Sequence, residues 1–343
     1  VHAPDWADDH ARRGELRAER KARLAALPTT LVSKERSERR PAHVQRRGAY
    51  DSLGEEVQPD VPGALPPLPA GARRDRLGLA DWIVSPDNPL TARVQVNRAW
   101  QHFFGRGLVA TPEDFGAQGA WPTHPALLDW LSVRFVESGW DVKGLHREIA
   151  LSDAYRRSSA APPALRERDP DNALLARGPR HRLDAEVLRD SALYVAGLLD
   201  ETRGGPGVRP YQPDGVWFAV GYSRSNTVRY ERGPAEHLHR RSLYTFWKRT
   251  APPTNLAAFD APMRESCVVA RERTNTPLQA LVTLNDPTYV EAARFLAQRE
   301  LLAEPEAADT ARAARILERV LARPARAPET RVLAELARSL RAE

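Results

Sequence analysis

The sequence predicts a mainly α fold: an irregular multi-helix domain with long loops and at most a small β element near residues 241–247. Three observations carry this. Apolar residues recur at three- and four-residue spacing in successive windows from Asp75 onward, the period of a helix with one buried face. The 20 glycines and 29 prolines cut those windows into short pieces and leave long irregular stretches between them. One run, residues 241–247, alternates Leu243, Thr245 and Trp247 against Ser242, Tyr244 and Phe246, as a strand would.

The elements follow in chain order. Residues 11–27 are charged and Ala-rich with thin apolar content, so they read as an exposed helix ended by Pro28. Prolines at 41, 59, 62, 66, 67 and 69 make residues 29–72 an extended segment, with a short strand expected near 31–33. The run RLGLADWIV from Arg76 forms a helix stopped by Ser85 and Pro86. Thr91 is placed to cap a second helix reaching Phe104, with Val96, Trp100, Phe103 and Phe104 inward and Gly105 at the C-terminal turn. On it, Arg93 with Asn97 and Arg98 with His102 are i,i+4 neighbours.

His124 and Pro125 open a third helix with an apolar stripe of Leu127, Leu128, Leu131 and Phe135, ended by Ser138 and Gly139. Asp141 caps a fourth, carrying Val142, Leu145, Ile149 and Tyr155, and the two are expected to form a hairpin. Asp184 caps a fifth over residues 185–199, before the turn Gly204-Gly205-Pro206-Gly207 and an irregular stretch, 211–234, long enough to suggest function. Thr276-Pro277 starts another helix and Asn285-Asp286-Pro287 interrupts it to start the next. Residues 311–321 and 328–340 make a last amphipathic hairpin around Arg323-Pro324. The expected organisation is an N-terminal helix and Pro-rich segment (1–72), a helical core (73–303) and a C-terminal hairpin (304–343).

Composition bounds the function. With 343 residues and 42% hydrophobic content the chain can bury a core, and a mean hydropathy of -0.53 with 28% charged residues marks a water-facing one. No apolar run approaches the roughly 20 residues that span a bilayer, so no membrane span is expected. The net charge of +6 would suit a polyanion. Arg far outnumbers Lys while Ala and Pro are abundant, a coding bias that yields basic solvated faces without any ligand. Aromatic and basic residues do not interleave as in RNA-binding sheets, so nucleic acid is the weaker partner class. Cys267 is the lone cysteine, which excludes an intramolecular disulfide, a multi-cysteine zinc site and a C-x-x-C-H haem attachment within the chain. The chain opens at Val1 with neither initiator Met nor signal-like segment, so it reads as processed or cut from a longer protein.

The densest polar constellation spans residues 240–286: Arg241, Tyr244, Lys248, Arg249, Asp260, Arg264, Glu265, Arg271, Arg273, Asn275, Gln279, Asn285 and Asp286. Guanidinium forks pair oxyanions bidentately, so Arg241, Arg249, Arg264, Arg271 and Arg273, with Asn275 and Gln279, are candidates for an anionic sugar or sulfate. The same residues could instead form an ion-pair network pinning loops to the core, with Asp260 on an Arg and Asp286 merely capping a helix. Tyr244, Lys248, Asp260 and Asp114 are the candidate catalytic groups, Asp114 with Glu113 as an acid or metal ligand near His102 and His124. His237 and His239 could share a metal if their segment is extended. Cys267, near Arg264, is either a thiolate or a small buried apolar residue. There is no Walker loop, nucleophile elbow or dinucleotide fingerprint.

Several long motifs then carry a family resemblance. NPLTARVQVNRAWQHFFGRGLVATPEDFGAQG (88–119) and HPALLDWLSVRFVESGWDVKGLHREIALSDAYRRSS (124–159) look like the opening block of a DUF1553 (PSD1) domain. NALLARGPRHRLDAEVLRDSAL, YQPDGVW, RRSLYTFWKRT, FDAPMRESC and RTNTPLQALVTLNDPTYVEAA resemble its later blocks in order, so the resemblance covers about residues 40–303. It implies the C-terminal part of a planctomycete-type parent protein with DUF1549 and cytochrome c regions and a secretion signal. Any haem c would then sit elsewhere in the parent, with no cofactor in this chain, and the location would be extracytoplasmic. The family's setting implies a link to polysaccharide metabolism. The expected function is therefore an accessory or binding module, with those parent regions or an anionic polysaccharide as partners. The rivals are a carbohydrate-active oxidoreductase passing electrons to the haem, and a cell-surface scaffold, which would expose an apolar patch near 11–27.

Overall fold

The computed structural model describes residues 6–27, 29–36, 38–222 and 224–342, and it divides into two compact units, Val1–Asn88 and Pro89–Glu343. Pro28, expected to end the first helix, lies outside the described residues. Among the described residues there are 15 α-helices and a single two-stranded sheet, so the fold is mainly α. No described helix is long and apolar enough to cross a membrane.

In the first unit, α1 (Ala7–Ala26) has Asp8 and Asp9 in its first turn and Arg23 in its last, the order that suits the helix dipole. Leu16, Leu24 and Leu27 stand exposed along it. The sheet is an antiparallel hairpin of β1 (Ala42–Gln45) and β2 (Leu53–Val57), with Ala42 opposite Val57 and a bulge between His43 and Gln45. Residues 31–33, where a strand was expected, stay irregular. In α2 (Arg76–Ile83) the Asp75 carboxylate accepts from the Gly78 amide at 2.9 Å and caps the helix expected there. Trp82 donates its indole N–H to the Pro66 carbonyl at 2.7 Å and so ties the proline-rich segment to the helix.

The second unit begins with the block that the apolar stripes foretold. α3 (Thr91–Phe104) packs on α4 (Pro125–Glu137) and α5 (Val142–Leu151). Val96, Trp100, Leu128, Leu131, Phe135, Leu145 and Ile149 form its core, each buried aliphatic side chain contributing about 1.5–3 kcal/mol. The start of α3 differs from expectation: Thr91 is the first helical residue and not the cap. α5 also stops early, at Leu151, because the Ser152 hydroxyl accepts from the Tyr155 amide and starts the separate turn α6 (Asp153–Arg156). Tyr155 still reaches the core, edge-on to Phe103 and Phe104. Asn97, fully buried, accepts from the Val109 amide at 2.8 Å and donates to its carbonyl at 3.0 Å, which pins the turn after α3.

After the short α7 (Pro163–Arg168), α8 (Ala185–Ala196) supplies the second axis of the unit. It ends at Ala196, short of the expected Leu199, because Gly197 takes a left-handed conformation (φ 77°) and closes the helix. The turns α9 (Val216–Ala219), α10 (Ala235–Leu238) and α11 (Thr254–Ala257) punctuate the long irregular stretch. α12 (Pro277–Asn285) and α13 (Pro287–Ala303) begin at the two expected prolines, Asp286 capping α13 through the Thr288 amide. α13 lies along α8, and α14 (Asp309–Leu321) pairs with α15 (Ala327–Ala342) as the expected hairpin.

The expected strand at 241–247 does not form. Ser242–Tyr244 is a 3-10 turn, and the run contributes a single bridge, Thr245 with Val208, just after that of Arg240 with Asp200. The cause lies in α8. Arg189, 1% exposed, donates to the carbonyls of Leu238 and Arg240 at 2.7 and 3.0 Å and to the Ser242 hydroxyl at 3.2 Å. Asp190 takes the Ser242 amide at 2.8 Å. Backbone groups that a strand would give to a neighbouring strand are thus bonded to two side chains of a helix.

Candidate functional site

Most of the predicted polar constellation is bonded within the fold. The Tyr244 hydroxyl accepts from the Gly204 amide at 2.8 Å, and Arg240 lies over its ring, 4.1 Å from the centroid. Lys248 donates to the carbonyls of Thr227 (2.8 Å) and Trp217 (3.5 Å) and sits over the Trp217 ring. Asp260 is paired with Arg182 and accepts from the amide and hydroxyl of Thr274 at 2.9 Å. Three of the four candidate catalytic side chains therefore have their polar tips occupied by structural bonds. The fourth, Asp114, accepts from the Gly116 amide two residues on at 2.7 Å, a local turn of the kind aspartate favours.

The candidate binding residues divide in the same way. Gln279, 5% exposed, belongs to a capping box with Thr276 at the start of α12 and donates to Thr274. Arg264 stacks over Trp247 at 4.5 Å, Arg241 stands half exposed 4.0 Å from Asp190, and Arg249 and Asn275 are exposed. The segment carrying His237 is a helical turn, so His237 and His239 project in different directions, and His239 is bonded to Glu291 at 3.0 Å. Among the described residues no three His, Cys, Asp or Glu side chains are grouped to hold a metal ion.

What the fold does assemble is a basic cleft of about 540 Å³. One wall is the face of α3 bearing Arg98 and His102, the i,i+4 pair visible in the sequence; the other is the loop 267–273, with Asp184 at the head of α8 between them. Asp184 holds the helix-cap position, yet its side chain makes no cap bond. It turns instead to Arg271 and His102, each 3.8 Å away. Arg271 is further held by Glu186 at 2.5 and 3.2 Å. Arg273 is different: it donates to the Gly105 carbonyl at 2.9 Å, its Nε is buried without a partner, and it makes no ion pair among the described residues. Arg98 is exposed and carries no ion pair among the described residues. Cys267 is exposed at the rim, contrary to the reading of it as a buried apolar residue.

Burial pushes the pKa of His181 below its ordinary 6.5, and the neighbouring Arg273 charge pushes the same way. The Asp184 charge opposes that shift, and among the described residues the guanidinium groups of Arg98 and Arg273 make no ion pair. Sequence reasoning named Arg271 and Arg273 for anion binding but left Arg98, His181 and Asp184 outside the site. The shared face of Arg98 and His102 was the available signal. The loop that folds over that face is 170 residues away in sequence and gave none.

The model of one protein family, PSD1, described as a protein of unknown function (DUF1553), matches residues 75–337. No curated protein and no solved structure matches the chain.

Proposed function

The chain belongs to the PSD1 (DUF1553) family, and from that premise we propose that its helical unit is a non-catalytic binding module that takes an anionic saccharide in the basic cleft. The observation that carries this is the pair of guanidinium groups, Arg98 and Arg273, which line one cleft and make no ion pair among the described residues, the cleft's Asp184 being turned to Arg271 and His102. A carboxylate or sulfate placed between two such forks gains charge-assisted, bidentate hydrogen bonds, which are about twice as strong as neutral ones. The oxidoreductase reading would need free tips at Tyr244, Lys248 or Asp260, and each of those is bonded inside the fold. In this reading the module serves a secreted parent protein, with DUF1549 and cytochrome c regions as its neighbours and polysaccharide metabolism as its setting.

Calorimetric titration with oligogalacturonate and with chondroitin sulfate oligosaccharides tests it. Binding is expected at low ionic strength, weakening as salt screens the exposed Arg98. Arg98→Ala should weaken it tenfold or more without disturbing the fold, since Arg98 is exposed. Absence of salt-sensitive binding to both ligands, or unchanged affinity in Arg98→Ala, would overturn the proposal.

A further inference from the structure

A pocket of about 350 Å³ is lined by the end of α3 at Phe104, by Ser159, by Arg166 on α7 and by residues 170–172 and 177–180. Its one carboxylate, Asp171, is paired with Arg106 at 3.2 Å. The three guanidinium groups on the lining, Arg166, Arg177 and Arg180, make no ion pair among the described residues. Two other arginine groups of the unit share an acid: Arg315 and Arg319 both meet Glu300, and Arg312 and Arg341 both meet Asp309. Here no acid is shared. Asp169, next to the lining, is buried, and its oxygens accept from the Ala173 and Leu174 amides at 2.8 and 2.9 Å.

The loop that presents Arg177 is built by its own side chains. Asn172, left-handed at φ 54°, accepts from the Arg177 amide at 3.2 Å and donates to its carbonyl at 2.8 Å. The Arg177 guanidinium donates from Nη2 to the Pro170 carbonyl at 2.6 Å, while its Nη1 is buried without a partner. Gly178 lies so close to Arg157 that a Cβ there would come within 2.1 Å of the Arg157 carbonyl oxygen. Arg177 is therefore a fixed charge, and Arg166 and Arg180 are exposed forks on either side of it in sequence.

Guanidinium forks select oxyanions, because two of their N–H groups meet two oxygens at once. A carboxylate offers two such oxygens, whereas a terminal phosphate or sulfate offers three. Three cations without an acid therefore favour the tetrahedral group. The volume lies at the lower end of small-molecule sites and exceeds what a bare ion fills, and Phe104, Pro170 and Pro179 give it an apolar side.

We propose that this pocket binds a terminal phosphate or sulfate group carried as a monoester on an organic ring. Arg166 and Arg180 donate to the oxygens, Arg177 adds the third positive charge, and the ring lies toward Phe104. The proposal does not rest on the saccharide reading of the basic cleft, and no residue lines both.

Calorimetric titration of the full chain with glucose 6-phosphate, glucose 6-sulfate, inorganic phosphate and inorganic sulfate tests it. Saturable, salt-sensitive binding of an ester, at least tenfold tighter than that of its bare ion, is expected. Binding of the phosphate ester should fall as pH drops through its second pKa of about 6 and that of the sulfate ester should not, which tells the two sources apart. Arg166→Ala and Arg180→Ala should each weaken binding tenfold or more with unchanged circular dichroism, since both side chains are exposed. Arg98→Ala should leave it unchanged. No saturable binding of either ester, an ester held no tighter than its bare ion, retained affinity in either pocket variant, or an equal loss in Arg98→Ala would overturn the proposal.

Discussion

Arg189 offers the sharpest test of how the unit holds its irregular half. The perturbation is Arg189→Met, which keeps most of the side-chain volume while removing every donor. In the native chain the guanidinium donates to Leu238, Arg240 and Ser242, all across about 50 residues of sequence, and lies 3.7 Å from Asp190. Burial pushes its pKa below the ordinary guanidinium range, with the Asp190 charge opposing, so the network offsets a desolvation cost. Removing it strands two buried carbonyls and takes the nearest cation from Asp190, which keeps its bonds from Ser242, and breaking a buried charged network by deleting one partner costs about 3–5 kcal/mol. Recovered desolvation of the guanidinium keeps the figure below a simple sum over three charge-assisted bonds of about 1.5–3 kcal/mol each. Urea unfolding followed by circular dichroism measures it directly, and the melting midpoint should fall by roughly 10 °C on the scaling for a unit of this size. Arg189→Lys, a point charge unable to span two carbonyls and a hydroxyl, should lose less but not recover wild-type stability. A loss under about 1 kcal/mol in Arg189→Met would mean that water replaces the donors, and the claim that α8 pins residues 238–242 would fail.

Two other expectations follow from the same kind of reasoning. Asn97→Ala leaves both backbone groups of Val109 unpaired in a core position and should cost about 2–3 kcal/mol by urea unfolding, and a near-neutral variant would show that the turn after α3 does not depend on it. At the C-terminal hairpin, hydrogen bonds from Arg323 and from the Arg326 amide hold the Glu329 pKa at about 2, below its ordinary 4.5. The folded value is the lower one, so its stabilisation is complete above pH 4.5 and is lost as pH falls from there toward 2. Asp309, lowered by its bond to Arg341, acts in the same direction from 3.8. An acid titration by circular dichroism should therefore be shallower for Glu329→Gln than for wild type between those limits, and superimposable curves would refute the assignment.

The helices were legible where local chemistry decides them. Asp75, Pro125, Pro277 and Pro287 mark starts that the structure keeps, because a cap or a fixed φ acts within one turn. What escaped was decided at a distance. The 241–247 run has a strand's alternation, but Leu243 is 66% exposed, and its backbone is claimed by α8. The β1–β2 hairpin escaped for the opposite reason: its side chains are almost all exposed, so no apolar alternation announces it. At the site, individual residues could be named from charge and type, yet which arginines lack a partner depends on contacts such as Arg271 with Glu186, 85 residues apart.

Asp260 shows how two clefts are related through the chain. Residues 267–273 wall the basic cleft, and Leu278, Leu281, Val282 and residues 285–287 line a second one of about 580 Å³. Between them, Thr274 bonds Asp260, Gln279 bonds Thr274, and Arg182 pairs with Asp260 and donates to the Phe259 carbonyl. Asp260 itself is held at φ 62°, a left-handed conformation that Asp tolerates better than most residues. Its carboxylate is thus the anchor of the segment that separates a basic cleft from one whose only charge is negative. The three donors that meet the Asp260 carboxylate, from Arg182 and from the amide and hydroxyl of Thr274, tie residues 182, 260 and 274 into one fixed junction.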